Sequence, residues 1–258
     1  MWKRGWRFAR ARVEQLGAGV LRWVWPHRCI GCDGEVDPCK VDIVDAFCEI
    51  CRGTLIEGTE SCCPICGLVW LDEPHPDGIA ACGPCLVSRP RFARARGAFA
   101  YGGALKVAIQ RWKNGQADAL GPALSTLLVN RLDAMGSEGW PDEMVVVPIP
   151  SPRRRIWRRG FNPAGVLARG VSRRTKFPLR LALKLRRSAP QTRGMNRDQR
   201  RRRMRGMFVA KGSSVTAKAV LLVDDVMTTG ATVDAAAACL KRAGAARVDV
   251  VTLARVAW

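Results

Sequence analysis

Two adjacent carboxylates, Asp224 and Asp225, follow a short apolar run and precede a turn rich in threonine and glycine. The apolar run from Val220 to Val223 predicts a buried parallel strand, and the segment from Ala231 to Ala243, closed by Gly244, predicts a helix. Backbone N–H groups at a helix N-terminus bind phosphate. Threonine hydroxyls add donors, and the two carboxylates can accept hydrogen bonds from a ribose diol. This order of residues indicates a site for a sugar phosphate.

The thirteen residues from Val220 to Thr232 resemble the phosphoribosyl pyrophosphate (PRPP) motif of type I phosphoribosyltransferases along their whole length. The resemblance implies that Asp224 and Asp225 are the catalytic acids, which bind the ribose hydroxyls and stabilise the oxocarbenium-like charge as pyrophosphate leaves. The turn would wrap the 5′-phosphate, and the residues assigned to it are Met227, Thr228, Thr229, Gly230, Ala231 and Thr232. Mg²⁺ would bridge the pyrophosphate and ribose oxygens.

Basic and hydroxyl residues elsewhere are candidates to hold the pyrophosphate leaving group. The turn from Pro150 to Arg153 places Ser151 where it could contact pyrophosphate. Lys113, Arg158 and Arg159 could neutralise the leaving group, since charge-assisted hydrogen bonds to phosphate are strong. The sequence contains no feature that identifies a pocket for an acceptor base or amine.

Strands alternate with helices from about Arg91 onward, which predicts an α/β fold whose parallel sheet carries helices on both faces. The predicted elements are a strand ending at 99–101, helices over 105–112, 120–132 and 162–173, and strands over 144–147, 220–223 and 248–253. Ligands of such sheets bind at the carboxyl ends of the strands. Asp224, Asp225 and the segment from Pro148 to Ser151 would therefore lie together.

Ten of the eleven cysteines lie between Cys29 and Cys85, in two units of the same spacing. Each unit contains two C-x2-C knuckles separated by 15 residues, which is the spacing of a four-cysteine zinc site. The ligands this spacing selects are Cys29, Cys32, Cys48 and Cys51 in the first unit and Cys63, Cys66, Cys82 and Cys85 in the second. We expect two structural zinc ions in tandem zinc ribbons over residues 28–90.

The pairing of the knuckles is open at this point. Pairing within each unit is the simplest arrangement, while in a cross-braced arrangement the first knuckle would share its ion with the third. A disulfide framework is a further alternative, less favoured without a secretion signal. Cys62 could replace Cys63, but the regular spacing would then be lost. We interpret His27 and His75 as non-ligands because eight thiolates already fill two tetrahedral sites.

Positive charge is concentrated in one part of the chain. The net charge is +21, and residues 151–211 contain 21 basic residues against one acid, Asp198. Such a concentration indicates an anionic partner, either PRPP or a nucleic acid backbone. Trp157, Phe161 and Phe177 lie among these arginines and could stack on bases. The alternative function is therefore a non-enzymatic protein that handles single-stranded nucleic acid and uses the fold as a phosphate-binding scaffold.

The N-terminal segment, residues 1–27, is predicted to be a basic amphipathic helix. Packing on its own protein is the favoured interpretation, and binding to a membrane surface is the alternative. The stretch from Leu16 to Val20 is too short and too glycine-interrupted for a signal peptide. No stretch of about 18 apolar residues occurs. We expect a cytoplasmic protein with no membrane span.

A cysteine-knuckle region followed by a PRPP motif is similar to the ComF (competence protein F) family, whose members join a zinc ribbon region to a phosphoribosyltransferase domain. The matching segments beside the PRPP motif are 26–32, 101 with 113–115, 147–150, 158–162, 191–192 and 252–255. The resemblance implies a type I phosphoribosyltransferase-like domain over 91–258, a possible phosphoribosyltransferase with an unknown acceptor. It also implies a role in bacterial DNA uptake or utilisation. Single-stranded DNA and other competence proteins, such as a helicase, are the partners it suggests.

Overall fold

The computed structural model describes residues 28–36, 46–58, 61–70, 81–115, 120–135, 139–141, 143–186, 206–212 and 214–257. Several predictions fall on other residues. The helix over 1–27, the two histidines and the matching segment over 191–192 lie outside the described residues.

A four-stranded parallel sheet forms the centre of the fold. Its strands are β1 (Arg94–Ala100), β2 (Met144–Pro148), β5 (Ala219–Met227) and β6 (Arg247–Arg255), and their order is β1-β6-β5-β2. A separate antiparallel pair consists of β3 (Leu183–Leu185) and β4 (Phe208–Ala210). Every residue of β1 and β2 is buried, as expected for parallel strands covered on both faces.

Helices cover both faces of this sheet, as the sequence predicted. They are α1 (Glu49–Arg52), α2 (Gly83–Val87), α3 (Gly103–Lys113), α4 (Leu120–Asn130), α5 (Leu132–Met135), α6 (Arg153–Arg159), α7 (Pro163–Thr175) and α8 (Ala231–Arg242). Helices α3, α4 and α7 share one hydrophobic core with Leu221 and Val223. Helix α8 shares the other core with Val220 and Leu222. This division follows from the alternation of side chains along a strand.

Two parts of the prediction for the strand ends need correction. Strand β5 does not stop before the acid pair but continues through it, because β6 keeps pairing there, with Asp224 opposite Thr252. The turn predicted from Pro150 to Arg153 ends earlier, since α6 begins at Arg153. Helix α6 has no buried residue, so it lacks the hydrophobic periodicity that would have revealed it.

The cysteine region packs along the outer edge of β1. Ala100 N donates to Ile56 O at 2.7 Å, and Ala95 N donates to Ile65 O at 2.8 Å. Cys29 and Cys51 belong to the core that contains α3, whereas the four cysteines of the second unit belong to the core that contains α8. The two units therefore lie on opposite faces of the sheet and protect an edge strand that would otherwise expose unpaired backbone groups. The predicted boundary between residues 90 and 91 stays a prediction.

Within the described ranges, the structure contains no helix with the length and apolar character needed to cross a bilayer.

Candidate functional site

A lysine from a distant helix meets the acid pair at the carboxyl end of β5. Lys113 Nζ lies 2.6 Å from Asp225 Oδ2, and the two side chains are 25% and 14% exposed. Lys113 is the last residue of α3, which is anchored in the core by Ile109 and Trp112. Core packing of α3 therefore positions the ammonium group, and the structure brings together Lys113 and Asp225 as one site.

Asp224 is held in surroundings that disfavour its negative charge. Burial raises the pKa of Asp224 well above its usual value, and the neighbouring charge of Asp225 raises it further, while Lys113 acts in the opposite direction. The Asp225 N–H donates to Asp224 Oδ1 at 2.9 Å and so favours the ionised form. A cation placed against the pair would stabilise both carboxylates in their charged form.

The loop after β5 leads directly into α8. Gly230 has a φ of +79°, in the left-handed region, and a Cβ there would lie 2.7 Å from Met227 Cε. Thr229 Oγ1 accepts a hydrogen bond from Ala231 N at 3.4 Å. Thr228 is exposed and Thr229 is half-buried, as are Gly230 and Thr232, whereas Met227 and Ala231 are buried. The loop thus leaves hydroxyl groups and the N-terminus of an α-helix accessible to an anion.

Ser151 lies at the carboxyl end of the neighbouring strand. Ile149 N donates to Val223 O at 2.9 Å, so the segment that follows β2 stays beside β5. Ser151 Oγ donates to Asn162 Oδ1 at 2.8 Å, and Asn162 Nδ2 donates to Ile149 O at 2.9 Å. Asn162 therefore fixes the orientation of Ser151. The sequence-based site did not include Asn162, although the family match over 158–162 contained the signal.

The two arginines predicted to hold the leaving group have different surroundings. Arg158 is exposed and Arg159 is half-buried. Arg159 Nε is inaccessible to solvent and has no hydrogen-bond partner among the described residues. Burial lowers the pKa of Arg159, and the positive charge of Arg155 lowers it further, whereas the charge of Asp225 raises it. Arg159 Nε is buried without a hydrogen-bond partner among the described residues, and Arg159 interacts electrostatically with Asp225. Arg159 is therefore better suited than the solvated Arg158 to bind an anion.

The three aromatic residues considered for base stacking are not equivalent. The Phe161 ring stacks on Trp112, with ring centroids 5.2 Å apart and planes inclined by 23°. Phe177 packs against the same core. Trp157 is 91% exposed. Trp157 is thus the most exposed of the three, whereas Phe161 and Phe177 are half-buried; base stacking stays a prediction.

Two cysteine clusters have the geometry of metal sites. One contains Cys29, Cys32, Cys48 and Cys51, the other contains Cys63, Cys66, Cys82 and Cys85, and the sulfur atoms of each lie within 4.8 Å of one another. The Sγ separation is 3.7 Å for Cys32 and Cys48 and 3.5 Å for Cys66 and Cys82. A tetrahedral zinc ion with Zn–S bonds of about 2.3 Å requires about 3.8 Å. Both clusters can therefore hold a metal ion of this kind.

The clusters also decide the pairing of the knuckles. Each cluster combines the two knuckles of one unit, so the cross-braced arrangement is wrong. The described cysteines are free of disulfides. Backbone N–H groups of Cys48 and Cys82 donate to Cys29 Sγ at 3.2 Å and Cys63 Sγ at 3.3 Å, and such bonds favour the thiolate that a metal requires. A hydrogen bond from Cys66 lowers the pKa of Cys63 to about 4, against the effect of burial.

Comparison with known proteins identifies relatives of this chain. A family model described as a phosphoribosyl transferase domain matches residues 142–257, which include β2, β5, α8 and β6. The chain is 31% identical to competence protein ComFC of Bacillus subtilis (strain 168), over 94% of this chain and 99% of that protein. This chain belongs to the ComF family. It is also 33% identical to DNA utilization protein YhgH of Escherichia coli (strain K12), over 81% of this chain and 90% of that protein. Identity to competence protein F of Haemophilus influenzae is 27%, over 88% and 96%.

Most of the predicted site residues of this ComF-family chain converge at one edge of the sheet. Lys113, Asp225 and Arg159 interact electrostatically, and Ser151 follows the strand adjacent to β5. Arg158 faces solvent instead. Sequence reasoning also missed the role of Arg255, a buried residue at the end of β6 that contacts both the second cysteine cluster and the loop before α8.

Proposed function

We propose that this ComF-family protein binds PRPP, or a related ribose phosphate, at the carboxyl end of β5. The observation that carries the proposal is the acid pair with Lys113 Nζ 2.6 Å from Asp225, next to an accessible helix N-terminus. The match of residues 142–257 to a phosphoribosyl transferase domain supports it.

In the proposed complex, the loop from Thr228 to Thr232 receives the 5′-phosphate. Backbone N–H groups at the start of α8 and the threonine hydroxyls supply the donors. Asp224 and Asp225 accept hydrogen bonds from the ribose hydroxyls, and their charges would stabilise positive charge at the reacting carbon of the ribose. Mg²⁺, when bound with the ligand, would neutralise pyrophosphate and offset the repulsion between the two carboxylates.

Three residues would hold the pyrophosphate. Lys113 is flexible at its end and can move from Asp225 to a phosphate oxygen, while Arg159 offers a buried Nε that lacks a partner among the described residues. Ser151, oriented by Asn162 at 2.8 Å, supplies a hydroxyl donor. Two cations in this position favour a ligand that carries phosphate at both ends of the ribose over ribose 5-phosphate alone.

Calorimetric titration with PRPP and Mg²⁺ tests this proposal. Wild type should bind PRPP, and the Asp224→Asn, Asp225→Asn double variant should bind at least about tenfold more weakly, a loss of about 1.4 kcal/mol. Asp133→Asn is the matched control, because Asp133 is an exposed acid in an ion pair with Arg174. Absence of binding to wild type, or equal binding by the double variant, would contradict the proposal. Release of pyrophosphate in the same samples reports turnover.

A second candidate function, binding of single-stranded DNA, is favoured by α6. This helix contains five arginines, has no buried residue and presents Trp157 with 91% of its surface exposed. Base stacking on an exposed aromatic contributes about 1–3 kcal/mol per base, and arginines neutralise the phosphates. The relatives are named for competence and DNA utilization, which supports a role for this chain in DNA uptake or utilisation.

Titration of a labelled single-stranded oligonucleotide at several salt concentrations tests the second candidate. Affinity should fall steeply with salt, and Trp157→Ala should weaken binding about tenfold while Trp157→Phe retains most of it. Leu181→Ala is the control, since Leu181 is also exposed, at 65%, but lies outside α6. Binding that ignores salt, or that Trp157→Ala leaves unchanged, would refute this function.

A further inference from the structure

One buried arginine joins the second cysteine cluster to the loop before α8. Arg255, the last residue of β6, is 2% exposed. Its Nε donates to Cys66 O at 3.2 Å, and its Nη2 lies 3.9 Å from Cys66 Sγ. Its Nη1 donates to Met227 O at 3.1 Å, to Thr228 O, and to Val256 O at 3.2 Å. A single planar guanidinium thus contacts a cysteine knuckle on one side and the loop on the other.

Two glycines permit this close approach. A Cβ at Gly97 of β1 would lie 2.6 Å from Arg255 Cβ, so only glycine lets β1 pass the arginine at this distance. Gly67 in the second unit has a φ of +61°, and a Cβ there would lie 2.6 Å from Ala95 O. The knuckle is therefore seated tightly on β1, and backbone packing fixes the Cα and Cβ of Arg255, whereas the guanidinium is held by its contacts with Cys66 and the loop.

The contacts of Arg255 with the loop also orient its amides. In a trans peptide the C=O and the following N–H point in opposite directions, and the described chain has no cis peptide. Arg255 holds the carbonyl of Thr228 and, together with Val256 N at 3.0 Å, the carbonyl of Met227, so the N–H groups of Thr228 and Thr229 point away from the arginine. These two N–H groups belong to the loop proposed to bind the 5′-phosphate.

The contact between Arg255 and Cys66 should depend on metal in the second cysteine cluster. A zinc ion held by four thiolates leaves a net negative charge on the cluster, which provides Arg255 with a charge-assisted partner at Cys66. Carbonyl oxygens alone are weaker partners for a buried guanidinium. The position of the arginine, and through it the loop, should therefore respond to occupancy of this cluster.

We propose that Arg255 is a positioning residue that couples metal binding in the second cysteine cluster to phosphate binding by the loop after β5. Metal in the cluster holds Arg255 and thereby orients the loop amides. By reciprocity, a bound ribose phosphate slows loss of that metal. The ligand part of this proposal rests on the proposed function, whereas the link from metal to loop does not.

The ligand-free arm of the test compares zinc-loaded wild type with Arg255→Lys, which keeps the charge but cannot reach both sides. Zinc release to a chromophoric chelator should be about tenfold faster from the second cluster of the variant. The Cys32→Ser variant disables the first cluster, so its zinc release identifies the kinetic phase that belongs to the second cluster. Hydrogen exchange of the amides over 228–231 should also be faster. Arg247→Lys, at the other end of β6 and paired with Asp249, should match wild type in both measurements.

The ligand arm adds PRPP with Mg²⁺, the ligand of the calorimetric titration. It should slow zinc release from the second cluster of wild type and leave that of Arg255→Lys unchanged. Unaltered zinc release and unaltered loop exchange in Arg255→Lys would overturn the proposal, as would equal protection of both proteins by the ligand. If calorimetry shows no binding of PRPP to wild type, the proposed function is contradicted. The ligand-free measurements then still decide whether Arg255 couples metal binding to the loop.

If Arg255→Lys fails to fold, a second measurement on protein that retains Arg255 takes its place. Chelation of the Cys32→Ser protein, in which the second cluster is the four-thiolate site that remains, should accelerate exchange over 228–231 while the strands of the sheet stay protected, with circular dichroism as the check on folding. Unchanged loop exchange after loss of this metal would refute the coupling.

Discussion

Replacing Gly230 with alanine strains the loop that begins α8. Gly230 has a φ of +79°, and the left-handed conformation costs a residue with a Cβ about 1–2 kcal/mol. The smaller conformational freedom of alanine in the unfolded chain offsets about 0.4–1 kcal/mol of this. The added Cβ also lies 2.7 Å from Met227 Cε, a flexible side-chain end that can move. We therefore expect the free energy of unfolding to fall by about 1 kcal/mol.

The same substitution should affect ligand binding more than stability. The chain can relieve the strain by rotating φ of residue 230 to a negative value, which turns the amides that face the phosphate. We expect affinity for PRPP to fall about tenfold, or about 1.4 kcal/mol. Gly212→Ala is the matched control, because Gly212 has a φ of +60° and open space around its Cβ position.

Differential scanning calorimetry and isothermal titration separate the two effects. Both alanine variants should lower the Tm by about 2–4 °C, but only Gly230→Ala should lose affinity for PRPP. Unchanged affinity in Gly230→Ala would refute the role assigned to the loop. An equal loss of affinity in Gly212→Ala would show that the effect comes from general destabilisation.

Three further changes have separate readouts. Burial and the charge of Asp225 raise the pKa of Asp224, so the unfolded chain releases the Asp224 carboxyl proton at a lower pH than the folded protein does. Stability of the ligand-free protein should therefore decline as pH rises from the usual carboxyl pKa to the raised one. Asp224→Asn should remove this decline in Tm and weaken PRPP binding, by no more than the double variant does. Elemental analysis should find two zinc ions per chain, and Cys85→Ser should leave one. Trp157→Ala should change the free energy of unfolding by less than about 0.5 kcal/mol and weaken binding of single-stranded DNA.

Each of these three predictions has a result that would contradict it. Asp133→Asn should keep the pH dependence of Tm seen in wild type. If Asp133→Asn also lost this dependence, Asp224 would not be its cause. Fewer than one zinc ion per chain would contradict the two-site interpretation. A large drop in Tm for Trp157→Ala would contradict the exposure of this ring.

The parts of the site that local sequence order determines could be predicted. The apolar run before Asp224, the helix from Ala231 and the cysteine spacing are all set by neighbours along the chain. The spacing of the knuckles selected the eight cysteines of the thiol clusters, but the structure was needed to decide which knuckles pair. The chain order of strands and helices likewise predicted helices on both faces of the sheet.

The remaining features depend on contacts between distant parts of the chain. Strand β5 continues through its acids because β6 pairs with it, and Lys113 reaches Asp225 only because α3 packs on the sheet. Cys66 and Arg255 are separated by 189 positions in sequence. Phe161 belongs to a basic segment, yet Trp112 stacks on its ring. Strands β3 and β4 have three residues each, too few to produce a periodic pattern.

The acid pair and the loop after β5 are proposed to form a ribose phosphate site. A crystal structure of the zinc-loaded protein with PRPP and Mg²⁺ tests it most directly. We predict the 5′-phosphate at the N-terminus of α8, against Thr228 to Thr232, and the ribose hydroxyls against Asp224 and Asp225. A phosphate bound only along the arginines of α6, with the acid pair still paired to Lys113, would contradict the claim.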